Sequence, residues 1–176
     1  AQFIYLRDVN GAQTWSATHQ PTCRDADQYL ASFLPDKVRI QQRLHQIESV
    51  LEIAVSPEED LEVRRLSLHN HDALAREIEV TSYVEVALSS RGDDLAHPVF
   101  AKLFLETEWL PENAALLCGR RPRASEDPGE WAVHVSSLEG RARGVIQYET
   151  DRRSFVGRGG DLTAPLALDG RSLSGT

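Results

Sequence analysis

The chain reads as an all-β protein, an antiparallel β-sandwich. Three observations predict this: apolar residues recur with a period of two, turn residues interrupt the pattern at short intervals, and helical periodicity is almost absent. Successive side chains of a strand point to opposite faces, so such alternation describes strands with one face on a core and one in water. Strands separated by turns at a spacing of roughly 8–12 residues indicate a sandwich or barrel.

The elements follow in order. Asn10-Gly11, inside Val9–Ala12, is a hairpin signal between two opening strands. Residues 37–46 are ambiguous, because Val38, Ile40 and Leu44 also fit a helix; the flanking strands and the β-branched residues favour a strand. Ile47, Leu51, Ile53 and Val55 alternate with Glu48, Glu52 and Ala54, and Ser49 stands at one apolar position. Residues 56–60 form a turn. Leu61 and Val63 are apolar at odd positions, but Leu66 and Leu68 at even ones, so the phase slips at Arg64-Arg65 and predicts a β-bulge. Residues 70–73 turn again. Ile78, Val80, Val84, Val86 and Leu88 alternate with Glu79, Thr81, Tyr83 and Glu85, predicting a strand with the aliphatic residues inward. A longer loop opens at Ser89–Asp94, with a short helical turn around residues 93–97. His97–Phe104 closes it and begins a strand, with Phe100 and Phe104 inward and Lys102 either exposed or bridging to a neighbouring domain. Pro122–Gly129 is a loop, and Val133 and Val135 flank His134 on a further strand. Residues 1–160 thus form the sandwich, and residues 161–176 an irregular arm. No repeat or low-complexity tract is present.

Composition narrows function. The 176 residues are 41% hydrophobic and 26% charged, which is a globular balance, and the net charge is −8. Nucleic acid and anionic membranes select basic surfaces, so neither is an expected partner. No apolar run of about 18 residues exists to span a bilayer. Cys23 and Cys118 lie far apart with no C-x-x-C spacing and read as unpaired thiols. The chain lacks methionine, even at position 1, which reads as a segment of a longer protein.

The candidate chemistry is sparse. Gly157-Arg158-Gly159-Gly160 lacks the strand–loop–helix context of a phosphate cradle and reads as a turn or an interdomain contact. His69 and His71 share a strand face and could share a metal, if Asp72, His19 or His97 converged on them; a polar hairpin tip is the simpler reading. The acids Glu58-Glu59-Asp60 and Asp93-Asp94 are adjacent in turns, whereas acid–base work needs carboxylates held across a cleft. There is no G-x-S-x-G elbow. No cofactor is expected. Trp15, Trp109 and Trp131 read first as packing residues, with stacking on a sugar ring as the alternative.

Five blocks carry a resemblance: Phe3–Asp8, Trp15–Pro21, Ile78–Tyr83, His97–Phe104 and Gln147–Gly159, the last gathering Arg152, Arg153 and Arg158 with two glycines behind Phe155. In this order the chain resembles the amino-terminal β-supersandwich, galactose-mutarotase-like in fold, of the cellobiose-phosphorylase-like family. Within that family it resembles the phosphorylase-like part of bacterial cyclic β-1,2-glucan synthases. The resemblance implies a sandwich incomplete at both ends. It also implies that an (α/α)6 barrel of the same polypeptide carries the catalytic aspartate, and that the parent is a membrane enzyme acting on the cytoplasmic side of the inner membrane. No catalytic residue is carried over. The resemblance makes Arg152, Gly157, Arg158 and Gly159 candidates for barrel contacts, beside Trp15 and Trp109 as candidates for carbohydrate. The expected role is non-catalytic bracing of the barrel, with weak β-glucan binding. Exposed strand edges would favour self-association. The alternatives are a free-standing carbohydrate-binding module and a mutarotase-like epimerase drawing on His19, His69, His71, His97 and His134.

Overall fold

The computed structural model describes residues 1–96, 98–122 and 129–175. Among them run ten strands: β1 (Gln2–Asp8), β2 (Gln13–Ser16), β3 (Gln28–Phe33), β4 (Val38–Leu44), β5 (Ile47–Val55), β6 (Glu62–Asn70), β7 (Ile78–Val84), β8 (Leu105–Leu110), β9 (Ala115–Arg120) and β10 (Trp131–Val135). Three short helices accompany them: α1 (Arg91–Ala96), α2 (Pro98–Lys102) and α3 (Arg152–Val156). The strands form three sheets, ordered β2-β1-β7, β3-β4-β5-β6 and β10-β9-β8. The hairpin pairs are antiparallel. The all-β expectation therefore holds.

The chain divides into two compact units. The larger contains Gln2–Tyr83 and Asp151–Leu173, and the smaller is built around Val84–Thr150.

In the larger unit, the sheet of β1, β2 and β7 packs on the four-stranded sheet. Leu6 and Trp15 meet Leu44 and Ile47, while Ile4 and Ala17 meet Leu51. Burying each of the large side chains contributes about 1.5–3 kcal/mol. The other face of the same sheet is covered too: Tyr5 and Tyr83 pack with Phe155, Val156 and Leu168. Strand β1 is thus buried on both sides, which explains why Phe3-Ile4-Tyr5-Leu6 is a continuous apolar run and not an alternating one. Strand β5 alternates as expected, and buried Ser49 stands among its inward residues. The segment from Asp161, read as an irregular arm, has one 3-10 turn at Leu166–Leu168, and its Leu162 accepts a hydrogen bond from the Tyr5 hydroxyl.

Several local expectations need correction. Strand β6 pairs with β5 in one uninterrupted register from Ile47↔Asn70 to Val55↔Glu62, so it has no bulge. The apparent phase slip arises because Val63 is an exposed outward residue, while Arg64 takes an inward position and reaches the Gln2 carbonyl with its guanidinium. In β7 the buried residue is Tyr83, and Val80 is 51% exposed, because the aromatic cluster around Phe155 covers the odd-numbered face. Residues 98–102 are helical; Phe100 is exposed and meets Phe104 edge-on at 5.1 Å. Lys102 Nζ lies 3.5 Å from Glu85 Oε2. His97 and residues 123–128 lie outside the described residues, and with them most of the loop expected at Pro122–Gly129.

Turn chemistry fits the hairpins. Gly11 approaches Asp8 so closely that a Cβ there would stand 2.5 Å from the carboxylate. The β4–β5 turn uses His45 and Gln46, both left-handed (φ 52° and 64°), where Asn-Gly is the favoured pair.

In the smaller unit, β8 and β9 form a hairpin through a 3-10 turn at Pro111–Asn113, closed by left-handed Ala114. Trp131 of β10 lies over Gly119 of β9, where a Cβ would sit 2.5 Å from the indole. Trp131, Val133 and Val135 share one face and are exposed, so the alternation is real but that face is uncovered within the unit.

Candidate functional site

The predicted contact residues separate into three environments. Trp15 is 1% exposed, packed among Leu6, Leu44 and Ile47, with the His45 ring edge-on at 5.6 Å. It presents no face to a sugar or a neighbouring domain, so it is a core residue: β2 turns it inward between the two sheets. Trp109, on β8, is half-buried and stacks on Tyr148 with centroids 4.6 Å apart and planes 17° apart. One indole face is therefore occupied within the unit, and a hydrogen bond between Thr107 and Thr150 runs beside it.

Arg152 begins the one-turn helix α3, and Gly157 ends it with φ 90°. Asp151 caps the helix, accepting from the Arg153 and Ser154 amides and the Ser154 hydroxyl; that hydroxyl and those amides hold its carboxyl below the usual range. Gly157, Arg158 and Gly159 line a shallow depression with Arg152 and Arg153. A helix, and not the expected strand, precedes these glycines. They follow its carboxyl end, where carbonyls and not amides are left over, which is the wrong polarity for cradling phosphate.

His69 and His71 lie 4.5 Å apart, centroid to centroid. His71 Nε2 pairs with Glu48 Oε2 at 2.7 Å, and Gln41 Nε2 donates to Glu48 Oε1 at 2.8 Å. The His71 hydrogen bond is the chief reason that the Glu48 carboxyl sits below its usual range. No group of three or more metal-ligating side chains occurs among the described residues. His19 is exposed and His134 is half-buried on β10.

One constellation escaped the sequence reading. On the outward face of the four-stranded sheet, the registers Gln28↔Arg43, Leu30↔Gln41 and Arg43↔Glu48 align side chains of β3, β4 and β5. Together with Tyr29 and Gln42, which alternate to the other face, they line a half-open depression of about 170 Å³. Arg43 Nη2 donates to Gln46 Oε1 at 2.5 Å, so the guanidinium is already held. The only sequence signal was the polar half of the alternation, which by itself marks nothing but a solvated face.

Other charged groups in the larger unit are held in ion pairs away from this depression. Buried Asp8 pairs with Arg76, and Arg7 with Glu79 at 2.6 Å. Cys23 and Cys118 are free thiols, and burial pushes that of Cys118 up.

Layered antiparallel sheets with a polar outward face place the chain in the class of β-sandwich modules. The family model for the glycosyl hydrolase 94 supersandwich domain matches residues 1–176, and the chain belongs to that family. It is 36% identical over 175 residues to cyclic beta-(1,2)-glucan synthase NdvB of Rhizobium meliloti (strain 1021), covering 99% of this chain and 6% of that protein. It is 25% identical over 164 residues to solabiose phosphorylase of Paenibacillus borealis, covering 93% of this chain and 20% of that protein. The chain thus spans only a small part of the length of these curated relatives. No helix among the described residues is long and apolar enough to cross a membrane.

Proposed function

We propose that the chain is the non-catalytic supersandwich module of a cyclic β-1,2-glucan synthase-like enzyme. It braces a glycoside-phosphorylase-type (α/α)6 barrel of the same polypeptide, on the cytoplasmic side of a bacterial inner membrane, and binds β-glucan weakly. The observation that carries this reading is the similarity of nearly the whole chain to a small part of a glucan synthase. The disposition of the acids supports it: Asp8, Glu52 and Asp151 are committed to an arginine, a lysine and a helix cap.

The bracing role is tested in the full-length parent. Replacing residues 1–175 by a short linker is expected to lower the thermal midpoint of the remainder and its recovery after expression. A remainder that melts and turns over sugar unchanged would overturn it.

The mutarotase alternative finds one supporting observation, the Glu48–His71 pair beside the outward cavity. These two groups bond each other directly, whereas acid and base need to stand on either side of a substrate. Polarimetry of fresh α-glucose with this chain is expected to match the uncatalysed rate. Acceleration lost in Glu48→Gln would establish the alternative instead.

A further inference from the structure

We infer that the outward depression over β3, β4 and β5 is the glucan contact of this module, and that it takes a single neutral pyranose ring. The inference rests on the glucan-binding part of the proposed function and assigns it to named residues.

Size is the first argument. About 170 Å³ exceeds many times over the roughly 10–15 Å³ that one water needs. It falls below the roughly 300 Å³ at which pockets for drug-sized ligands begin. One sugar unit fits that range, and an extended chain or a dinucleotide does not.

Chemistry is the second. Gln28 and Gln41 each offer a carbonyl and an amide group, Arg43 offers a fork of donors, and Glu48 offers only acceptors. Hydroxyls donate and accept at once, so a ring carrying several is the ligand that such a mixed set satisfies. The charges of Arg43 and Glu48 offset each other, which disfavours an anion or a cation relative to a neutral molecule. Leu30 is 60% exposed at the rim and supplies apolar surface for the C–H face of a ring.

Preorganisation is the third. Glu48 is fixed by His71 and Gln41, and Arg43 by Gln46, so little side-chain freedom remains to be lost on binding. Gln28, Leu30, Gln41, Arg43 and Glu48 all stand on strands, which hold them more rigidly than loops would. Trp109 is the weaker candidate, because Tyr148 already occupies one of its faces.

The test is titration of the whole chain with sophorose, the β-1,2-linked glucose disaccharide, followed by nitrogen-15 NMR. Saturable shifts are expected at the side-chain amides of Gln28 and Gln41, with a millimolar dissociation constant. Gln41→Ala and Arg43→Ala are each expected to weaken binding about tenfold with the thermal midpoint unchanged, since both side chains point away from the core. Trp109→Ala is expected to leave the affinity as it is. Shifts confined to Trp109 and Tyr148 would overturn the site while leaving glucan binding intact. No shift at any residue in 50 mM sugar would overturn both, and the bracing role would still be judged separately by the truncated parent.

Discussion

The two units use the same alternating strands and end with opposite surfaces. In the larger one, β1 is covered on both faces: Ile4 and Leu6 meet the four-stranded sheet, and Tyr5 meets Phe155 and Leu168. In the smaller one, β10 turns Trp131, Val133 and Val135 to solvent at 63%, 59% and 59% exposure. Period-two patterning therefore decides which residues share a face. Whether a face is covered depends on what packs against it, and the covered unit is where core substitutions will register.

The comparison is broken most directly at its tryptophans. Trp15→Ala is expected to destabilise by about 3–5 kcal/mol in urea denaturation, the usual range for emptying a buried aromatic site. Trp131→Ala is expected to cost under about 1 kcal/mol, as for an exposed residue. Equal losses would show that exposure in the smaller unit is not what separates them.

Next in size is the buried ion pair. Arg76→Ala would strand the Asp8 carboxylate, at a cost of about 3–5 kcal/mol. Burial alone would raise the Asp8 pKa, but Arg76 and the amides of Gly11 and Asn10 outweigh it and hold the carboxyl below its usual value. A depressed carboxyl stabilises the fold above its unfolded pKa, about 3.9, and that contribution is lost as pH falls further. The thermal midpoint of the unaltered chain should drop below about pH 4, whereas in Arg76→Ala the Asp8 dependence should weaken or reverse. Superimposable profiles would remove Asp8 from the acid response.

Two smaller changes should sharpen the larger unit. The buried Ser49 hydroxyl has no hydrogen-bond partner among the described residues. Ser49→Ala removes an unsatisfied polar group and should stabilise by about 1 kcal/mol; a loss would point to a bound water. Gln46→Gly relieves a left-handed side chain worth about 1 kcal/mol, offset partly by chain entropy and by the lost Arg43 hydrogen bond. A small net gain in midpoint is expected, and a loss larger than that from Gln46→Ala would refute the strain argument.

Legibility followed locality. Within residues 37–46, open to a helical reading, Val38–Leu44 form β4, as the β-branched residues suggested. Ser49 stood out at once as a polar residue in an apolar row. Helix α3 was missed because a single turn carries no periodicity; its signal was Asp151 with Ser154 three residues on, a capping pattern. The His45–Gln46 turn was missed because neither residue is Gly or Asn. The outward cavity could not be seen, since Gln28, Gln41 and Glu48 are brought together only by register.

By itself, the sequence determined the strands, most of their turns and the inward face of β5, because alternation and turn chemistry act over a few neighbouring residues. Tertiary structure alone decided that β1 has no wet side, that Trp15 is core, and that polar residues of three strands border one depression. Those outcomes depend on which strands become neighbours and which sheets stack, and that choice is made by summed burial across the unit and not by any short stretch of chain.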